Sequence, residues 1–106
     1  MANNYKNAKL DLTATSVTTL YTCPVAKTAV FKSILVSEDS GNADTITVTV
    51  TNGSSVFSLF KVKAVAANTT VELLTAPLVI EESEVVKVTA ATANRLHVVA
   101  SFLEIG

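Results

Sequence analysis

Residues 45–60 read Thr-Ile-Thr-Val-Thr-Val-Thr-Asn-Gly-Ser-Ser-Val-Phe-Ser-Leu-Phe. Ile46, Val48 and Val50 alternate with threonines, and successive side chains of a strand point to opposite faces, so this pattern predicts a strand with one buried face. The pair Asn52-Gly53 follows at once, and it favours the positive φ angles of a type I′ turn. With the apolar run that begins at Val56, the stretch predicts a β-hairpin.

Further short strand candidates lie on both sides of this hairpin. They cover residues 8–13, 17–23, 28–37, 69–74, 78–81, 85–90 and 96–105. Prolines, asparagines and short polar segments separate them. One stretch, 61–67, is rich in Ala and Lys, and it is the only candidate for a turn of helix.

The spacing of these strands indicates the fold class. Short strands without long crossovers favour antiparallel pairing, so the chain is expected to be all-β, an antiparallel β-sandwich of about eight strands with a jelly-roll-like arrangement. The length of 106 residues allows one domain. We place it at 8–106, after a polar N-terminal arm at 1–7.

Composition excludes several classes of function. Charged residues make up 16% of the chain and the formal net charge is −1, and Lys and Arg are scattered, so neither nucleic acid nor an anionic membrane is an expected partner. The first residues lack the apolar segment of a secretion signal. The single Cys23 cannot form an internal disulfide, which fits a reducing compartment. We therefore expect synthesis in a cytoplasm.

The last strand candidate is apolar on both faces. Leu96, Val98, Ala100 and Phe102 share one face, which we expect to pack into the core. The other face contains the predicted interface residues His97, Val99, Leu103 and Ile105. A second apolar face needs a partner surface, so this strand predicts a homo-oligomer.

No motif in the sequence predicts catalysis, a cofactor or a metal. His97 is the only histidine, and it is also the only base that could activate Cys23. The acidic loop 38–44 lacks the spacing of a calcium-binding EF-hand, and the acidic run 81–84 is typical of a solvated turn. We expect a non-enzymatic protein.

Three stretches carry a resemblance to a known class of proteins. They are Tyr5-Lys-Asn-Ala-Lys-Leu-Asp-Leu-Thr13, Thr19-Leu-Tyr-Thr-Cys-Pro24 and Lys32-Ser-Ile-Leu-Val-Ser-Glu-Asp-Ser-Gly41. The chain resembles the small β-rich virion structural proteins of tailed bacteriophages, of the cyanophage and marine phage type. The resemblance implies a virion location and the role of a capsid decoration or cement protein, with the major capsid protein as partner and a trimer as the favoured oligomer.

Two alternatives remain open at this stage. A neck, tail or baseplate component of the same virion would use similar strands for lateral contacts. A receptor-binding or glycan-binding module belongs to a different class, and it is disfavoured because the chain has no Trp and few aromatic residues that could be exposed.

Overall fold

A computed structural model describes residues 3–106. Its strands are β1 (Asn3–Asp11), β2 (Thr18–Thr22), β3 (Thr28–Glu38), β4 (Asp44–Asn52), β5 (Ser55–Val65), β6 (Thr70–Glu72), β7 (Leu78–Ile80), β8 (Val85–Ala90) and β9 (Leu96–Ile105). Within these described residues no helix is long and apolar enough to cross a membrane.

The strands form two antiparallel sheets. The five-stranded sheet has the order β1-β9-β3-β6, with β7 also paired to β3, and the four-stranded sheet has the order β2-β8-β4-β5. The predicted all-β antiparallel sandwich is thus confirmed. β1 pairs with β9, β2 with β8, β3 with β6 and β7, and β4 with β5. Strands from the start of the chain thus pair with strands from its end, in nested order. This order favours a jelly roll, which stays a prediction.

The core lies between the sheets and is built mainly by the inward-facing residues of β3, β4, β8 and β9. Val48, Leu96 and Val98 are fully buried, as the sequence predicted, and so is Ile34 of β3. Phe31 and Phe102 stack with their ring centroids 4.8 Å apart. Full burial of one such side chain contributes about 1.5–3 kcal/mol, so the core-facing half of β9 is a main source of stability.

The N-terminal segment belongs to the sheet. Asn3 through Asp11 pair with β9 residue by residue, from Asn3 opposite Ile105 to Asp11 opposite His97. The predicted arm at 1–7 is therefore wrong for residues 3–7, because β9 offers them a full ladder of backbone hydrogen bonds, and residues 1 and 2 lie outside the described part. The domain begins before residue 8.

The predicted hairpin is present, but its turn is shifted by one residue. Asn52 pairs with Ser55, so Gly53 and Ser54 are the two central residues. Gly53 has a φ of 61°, whereas Ser54 does not have a positive φ. A positive φ at the first central position only is the pattern of a type II′ turn, so the type I′ prediction is wrong.

The possible helical turn at 61–67 is also wrong. β5 continues to Val65, which pairs with Asp44 of β4, and Ala64 pairs with Thr45. Hydrogen bonds to β4 outweigh the local helix preference of Ala and Lys. Val62 sits at an irregularity in this pairing with a φ of 52°, and its N–H donates to the Thr47 hydroxyl at 3.1 Å.

Candidate functional site: the outer face of the five-stranded sheet

β9 is a central strand, with β1 on one side and β3 on the other. Its burial alternates along its length: Leu96, Val98, Ala100 and Phe102 are buried toward the core, as predicted. The alternate residues point to the opposite side of the sheet, which we call the outer face. The predicted interface residues, which are His97, Val99, Leu103 and Ile105, are all partly buried there.

One apolar row crosses the outer face from edge to edge. Tyr5 of β1 lies opposite Leu103, Leu103 lies opposite Val30 of β3, and Val30 lies opposite Val79 of β7. Tyr5 is 82% exposed and Val79 is 55% exposed. Side chains opposite each other in antiparallel strands are in contact distance, so the row forms a continuous apolar band.

A second row runs parallel to the first and crosses β9 four residues earlier, at Val99. Lys9 of β1 lies opposite Val99, Val99 lies opposite Leu35 of β3, and Leu35 lies opposite Glu72 of β6. Leu35 is 38% exposed. This row therefore has an apolar centre, with a cation at the β1 edge and an anion at the β6 edge.

The Glu72 carboxylate is held in place by three donors on or beside β3. The Ser33 hydroxyl, the Ile34 N–H at 2.8 Å and the Leu74 N–H at 3.2 Å all donate to it. Burial opposes the charged form of Glu72, but these hydrogen bonds outweigh it and lower its pKa. The second row thus ends in a fixed negative charge.

A cluster of polar side chains closes one end of the outer face. His97 Nε2 lies 3.2 Å from the Asp11 carboxylate, and His97 Nδ1 lies 3.6 Å from the Asp39 carboxylate. The imidazole thereby links β1, β9 and the loop after β3. Its position argues for a structural role at the rim of the face.

The loop 38–44, which was considered as a cation site, is organised around a buried carboxylate. Glu38 is 1% exposed and accepts the N–H groups of Ser40, Gly41, Asn42 and Asn68 at 2.9–3.2 Å. Burial opposes its charged form, yet the hydrogen bonds lower its pKa to about 2. With its oxygens committed to donors, Glu38 holds the loop together and is not free for a cation, and residues 3–106 contain no cluster of three or more His, Cys, Asp or Glu side chains suited to a metal.

A second buried carboxylate fastens β1 to the sandwich. Glu104 is 3% exposed on the core side of β9. It accepts hydrogen bonds from the Tyr21 hydroxyl at 2.7 Å and from the Lys6 ammonium at 2.9 Å, and these two bonds lower its pKa. Sequence reasoning overlooked Glu104, although it continues the core-facing alternation of β9.

Cys23 and His97 do not meet. The Cys23 thiol is buried at 1% exposure, donates to the Lys27 carbonyl at 3.3 Å, and has its pKa raised by burial. It lies near Tyr21 and Glu104, at one end of β9. His97 is at the other end of β9, seven residues from Glu104, which is about 23 Å along a strand.

The outer face of the four-stranded sheet has a different character. Along β4, Thr45, Thr47, Thr49 and Thr51 are partly buried and alternate with buried aliphatic residues, as predicted. This face offers hydroxyl groups where the other one offers aliphatic and aromatic side chains. The two outer faces therefore differ in their capacity for apolar contact.

Additional apolar groups are exposed at the β4–β5 hairpin. Val56 is 62% exposed and Phe57 is 55% exposed, both at the start of β5. Further along, Leu59 and Phe60 line an open cavity of about 290 Å³ beside the β6–β7 connection. A second shallow cavity of about 490 Å³ is lined largely by small residues around Ala64.

No family model matches the chain, and no curated protein matches it. Among solved structures, the chain is similar to a protein of Bacillus endospore appendages, which are described as a novel family of disulfide-linked pili. The TM-score is 0.58 at 11% sequence identity, and the match covers 98% of this chain and 86% of the other. At this identity, the similarity shows a shared β fold.

Proposed function

We propose that this chain is a non-enzymatic virion protein of a tailed phage, a capsid decoration or cement protein that stabilises the major capsid lattice. The observation that carries the proposal is the outer face of the five-stranded sheet. Two rows with apolar side chains cross it, and Val99 and Leu103, two of the residues predicted as the interface, lie in its centre. Such a face suits a protein that acts by covering surface.

Cement proteins act through burial, and burial is additive over many copies. Removing apolar area from water contributes about 25 cal/mol per Å². A standard interface buries about 800 Å² per partner, so even a moderately apolar contact becomes strong when it is repeated over a lattice. The low charge of 16% limits the desolvation cost of such contacts.

The buried carboxylates support a structural role for this chain. Glu38 organises the loop that follows β3, and Glu104 anchors β1 through Lys6. Both hold backbone elements at the edges of the outer face. Buried polar groups whose hydrogen bonds are satisfied hold the backbone in one arrangement.

Two different surfaces divide the contacts in this proposal. The outer face, with Val99 and Leu103 at its centre, meets neighbouring copies of the chain. The exposed Val56 and Phe57 at the hairpin contact the major capsid protein. The virion is then the site of action, and the host cytoplasm is the site of synthesis.

The copy number in purified particles tests the proposal. Quantitative mass spectrometry of gradient-purified virions, combined with antibody labelling in electron microscopy, should find copies in proportion to the capsid hexamers and label over the whole head. Particles stripped of the protein should rebind the recombinant chain, while a Phe57→Glu variant should rebind more weakly. Absence of the chain from purified particles would overturn the proposal.

A neck, tail or baseplate component is the second candidate within the virion. It is favoured by the same outer face, because ring assemblies also need lateral contacts between copies. Six or twelve copies per particle, with label at a vertex or on the tail, would select it.

A fibre subunit is a further candidate, favoured by the fold shared with the endospore appendage protein. Those pili are described as disulfide-linked, whereas the single Cys23 of this chain is buried. A fibre of this chain would therefore be held by non-covalent contacts. Filaments of the purified chain that persist under reducing conditions would support this candidate.

A receptor-binding or glycan-binding module is the candidate from another class. Tyr5 and Phe57 are the exposed aromatic side chains that could stack on a sugar. They lie on different surfaces, Tyr5 on the outer face of one sheet and Phe57 on the edge strand of the other. A glycan array with the purified chain would test this reading.

A further inference from the structure

We infer that the outer face of the five-stranded sheet binds the same face of a second copy, in an isologous dimer whose two-fold axis runs parallel to the strands between β9 and β3. This inference rests on the proposed function, in that both use the outer face for contacts between copies. It names the partner surface and the symmetry. It also departs from the trimer that the resemblance implies.

The rows of the outer face define what such an axis brings together. A half turn about an axis parallel to the strands exchanges the two edges of the sheet and keeps every row at its own level. The β1 edge of one copy then faces the β6 and β7 edge of the other, and β9 faces β3. Stacked sheets pack about 10 Å apart, a gap that facing side chains fill.

The second row is self-complementary under this operation. Lys9 of one copy faces Glu72 of the other, and Val99 faces Leu35. Because the contact is isologous, each pairing occurs twice. Two ion pairs thus flank an apolar centre. Unlike Glu38, Glu72 is exposed, so the Lys9 ammonium can approach its carboxylate while the hydrogen bonds to β3 and Leu74 remain.

The first row is complementary by apolar contact. Tyr5 faces Val79, and Leu103 faces Val30. Tyr5 and Val79 are the most exposed members of the row, so they have the most area to cover. Between the rows lie Ser101 and Ser33, which are opposite each other in the sheet.

The other in-plane two-fold axis, perpendicular to the strands, fits less well. It would exchange the two rows and place Lys9 over Tyr5, which is a favourable cation–π contact. However, it would also place the Glu72 carboxylate opposite Val79 and His97 opposite Ile105. Charged and polar groups opposite apolar ones lose hydration without a partner, so we assign the axis parallel to the strands.

Lys32 supplies a further test of the face-to-face contact, although it lies near the middle of the face and does not distinguish the two axes. It is exposed at the irregularity between Phe31 and Ser33 in the pairing of β3 with β9, close to the proposed axis. The two copies of Lys32 approach each other there and repel. A Lys32→Ser variant should therefore associate more tightly than the wild type, most clearly at low salt.

Charge exchange between chains is the decisive experiment. Sedimentation equilibrium of the wild type at micromolar concentration should give a mass near twice 11.1 kDa. The Lys9→Glu and Glu72→Lys variants should each dimerise at least about tenfold more weakly, a loss of 1.4 kcal/mol, because both pairs become repulsive. An equimolar mixture should regain the dimer, since the two variants then pair Glu with Lys at both positions.

A cross-linking variant provides a second test if Glu72→Lys does not fold, because this substitution removes the hydrogen bonds from Ser33, Ile34 and Leu74. Tyr5→Cys/Val79→Cys places reactive thiols at opposite edges of one sheet but face to face between copies, while Cys23 is buried. A short bis-maleimide should give covalent dimers of this variant, whereas Tyr5→Cys alone should not be cross-linked efficiently.

Three results would overturn the inference. They are a monomeric or trimeric wild type, a mixture of the two charge variants that stays monomeric, and a double-cysteine variant that gives no cross-linked dimer. Particle binding is measured separately with the same proteins. A wild type that binds particles but does not dimerise rejects the two-fold contact alone, and a stable wild-type dimer that does not bind particles rejects the capsid role alone.

Discussion

Replacing Val99 and Leu103 together by Glu should give a chain that folds but no longer associates. Both side chains lie on the outer face, at the centre of the two rows. Both are only partly buried within one chain, so the new carboxylates can stay in water as long as the chain is alone. In an assembly that covers the outer face, these carboxylates lose their contact with water.

The expected cost to folding is small compared with the total stability. Partial burial of a Val or Leu side chain contributes about 1–2 kcal/mol, so the two substitutions together should lower the free energy of unfolding by about 3 kcal/mol. Small domains have 5–15 kcal/mol in all. The core-facing residues Leu96, Val98 and Phe102 remain in place, so the native fold should persist.

The expected cost to association is much larger. An uncompensated charge in a desolvated contact costs about 3–5 kcal/mol, and a symmetric interface would contain four of these carboxylates. A micromolar dimer has only about 8 kcal/mol of binding free energy. The double variant should therefore be monomeric at every practical concentration.

Thr45→Glu/Thr49→Glu is a matched control. It also introduces two carboxylates four residues apart on one strand, at partly buried positions, but on the outer face of the other sheet. Urea unfolding followed by circular dichroism measures folding, and sedimentation equilibrium measures association. The control should fold and associate like the wild type.

Two results would refute this reasoning. If Val99→Glu/Leu103→Glu does not fold, the outer face contributes to the core in a way that its exposure does not indicate. If the variant folds and associates as tightly as the wild type, the outer face is not an interface.

Other substitutions test the fold and its buried polar groups. Gly53→Val should lower the free energy of unfolding by about 1 kcal/mol or more through its positive φ alone, since a Cβ there meets no other atom within 4 Å; Ser54→Val, at the neighbouring turn position, should cost less in the same urea titration. The pKa of Glu38 is lowered from 4.5 to about 2, so the unfolded chain binds more protons in this range, and the stabilisation from Glu38 should be complete above pH 4.5 and be lost as the pH falls toward 2. Urea midpoints measured against pH should therefore fall less steeply for Glu38→Gln than for the wild type, and equal slopes would contradict the role of this carboxylate. Cys23 should resist alkylation in the native chain, because its thiol is buried with a raised pKa, and should react in urea; rapid native labelling followed by mass spectrometry would show that the end of β2 opens.

The candidate site was predictable in part. The alternation of β9 was enough to separate Val99 and Leu103 from the core residues, because a strand assigns successive side chains to opposite faces whatever its neighbours are. The same alternation would have identified Glu104 as inward-facing, but a carboxylate at a core position goes against the usual burial preference. Its partners, Lys6 and Tyr21, come from distant parts of the chain.

The sequence by itself determined most of the strands and breaks and the two faces of β4 and β9, since these depend on period-two patterns and on turn residues that act locally. It did not determine that β1 and β5 extend over residues 3–7 and 61–65. Only the tertiary structure decided which strands are neighbours, and therefore that Lys9 and Glu72 end one row across β1, β9, β3 and β6. It also decided that the Glu38 carboxylate receives the N–H of Asn68, thirty residues away. Strand pairing depends on the combined packing of the whole core, and no local pattern contains it.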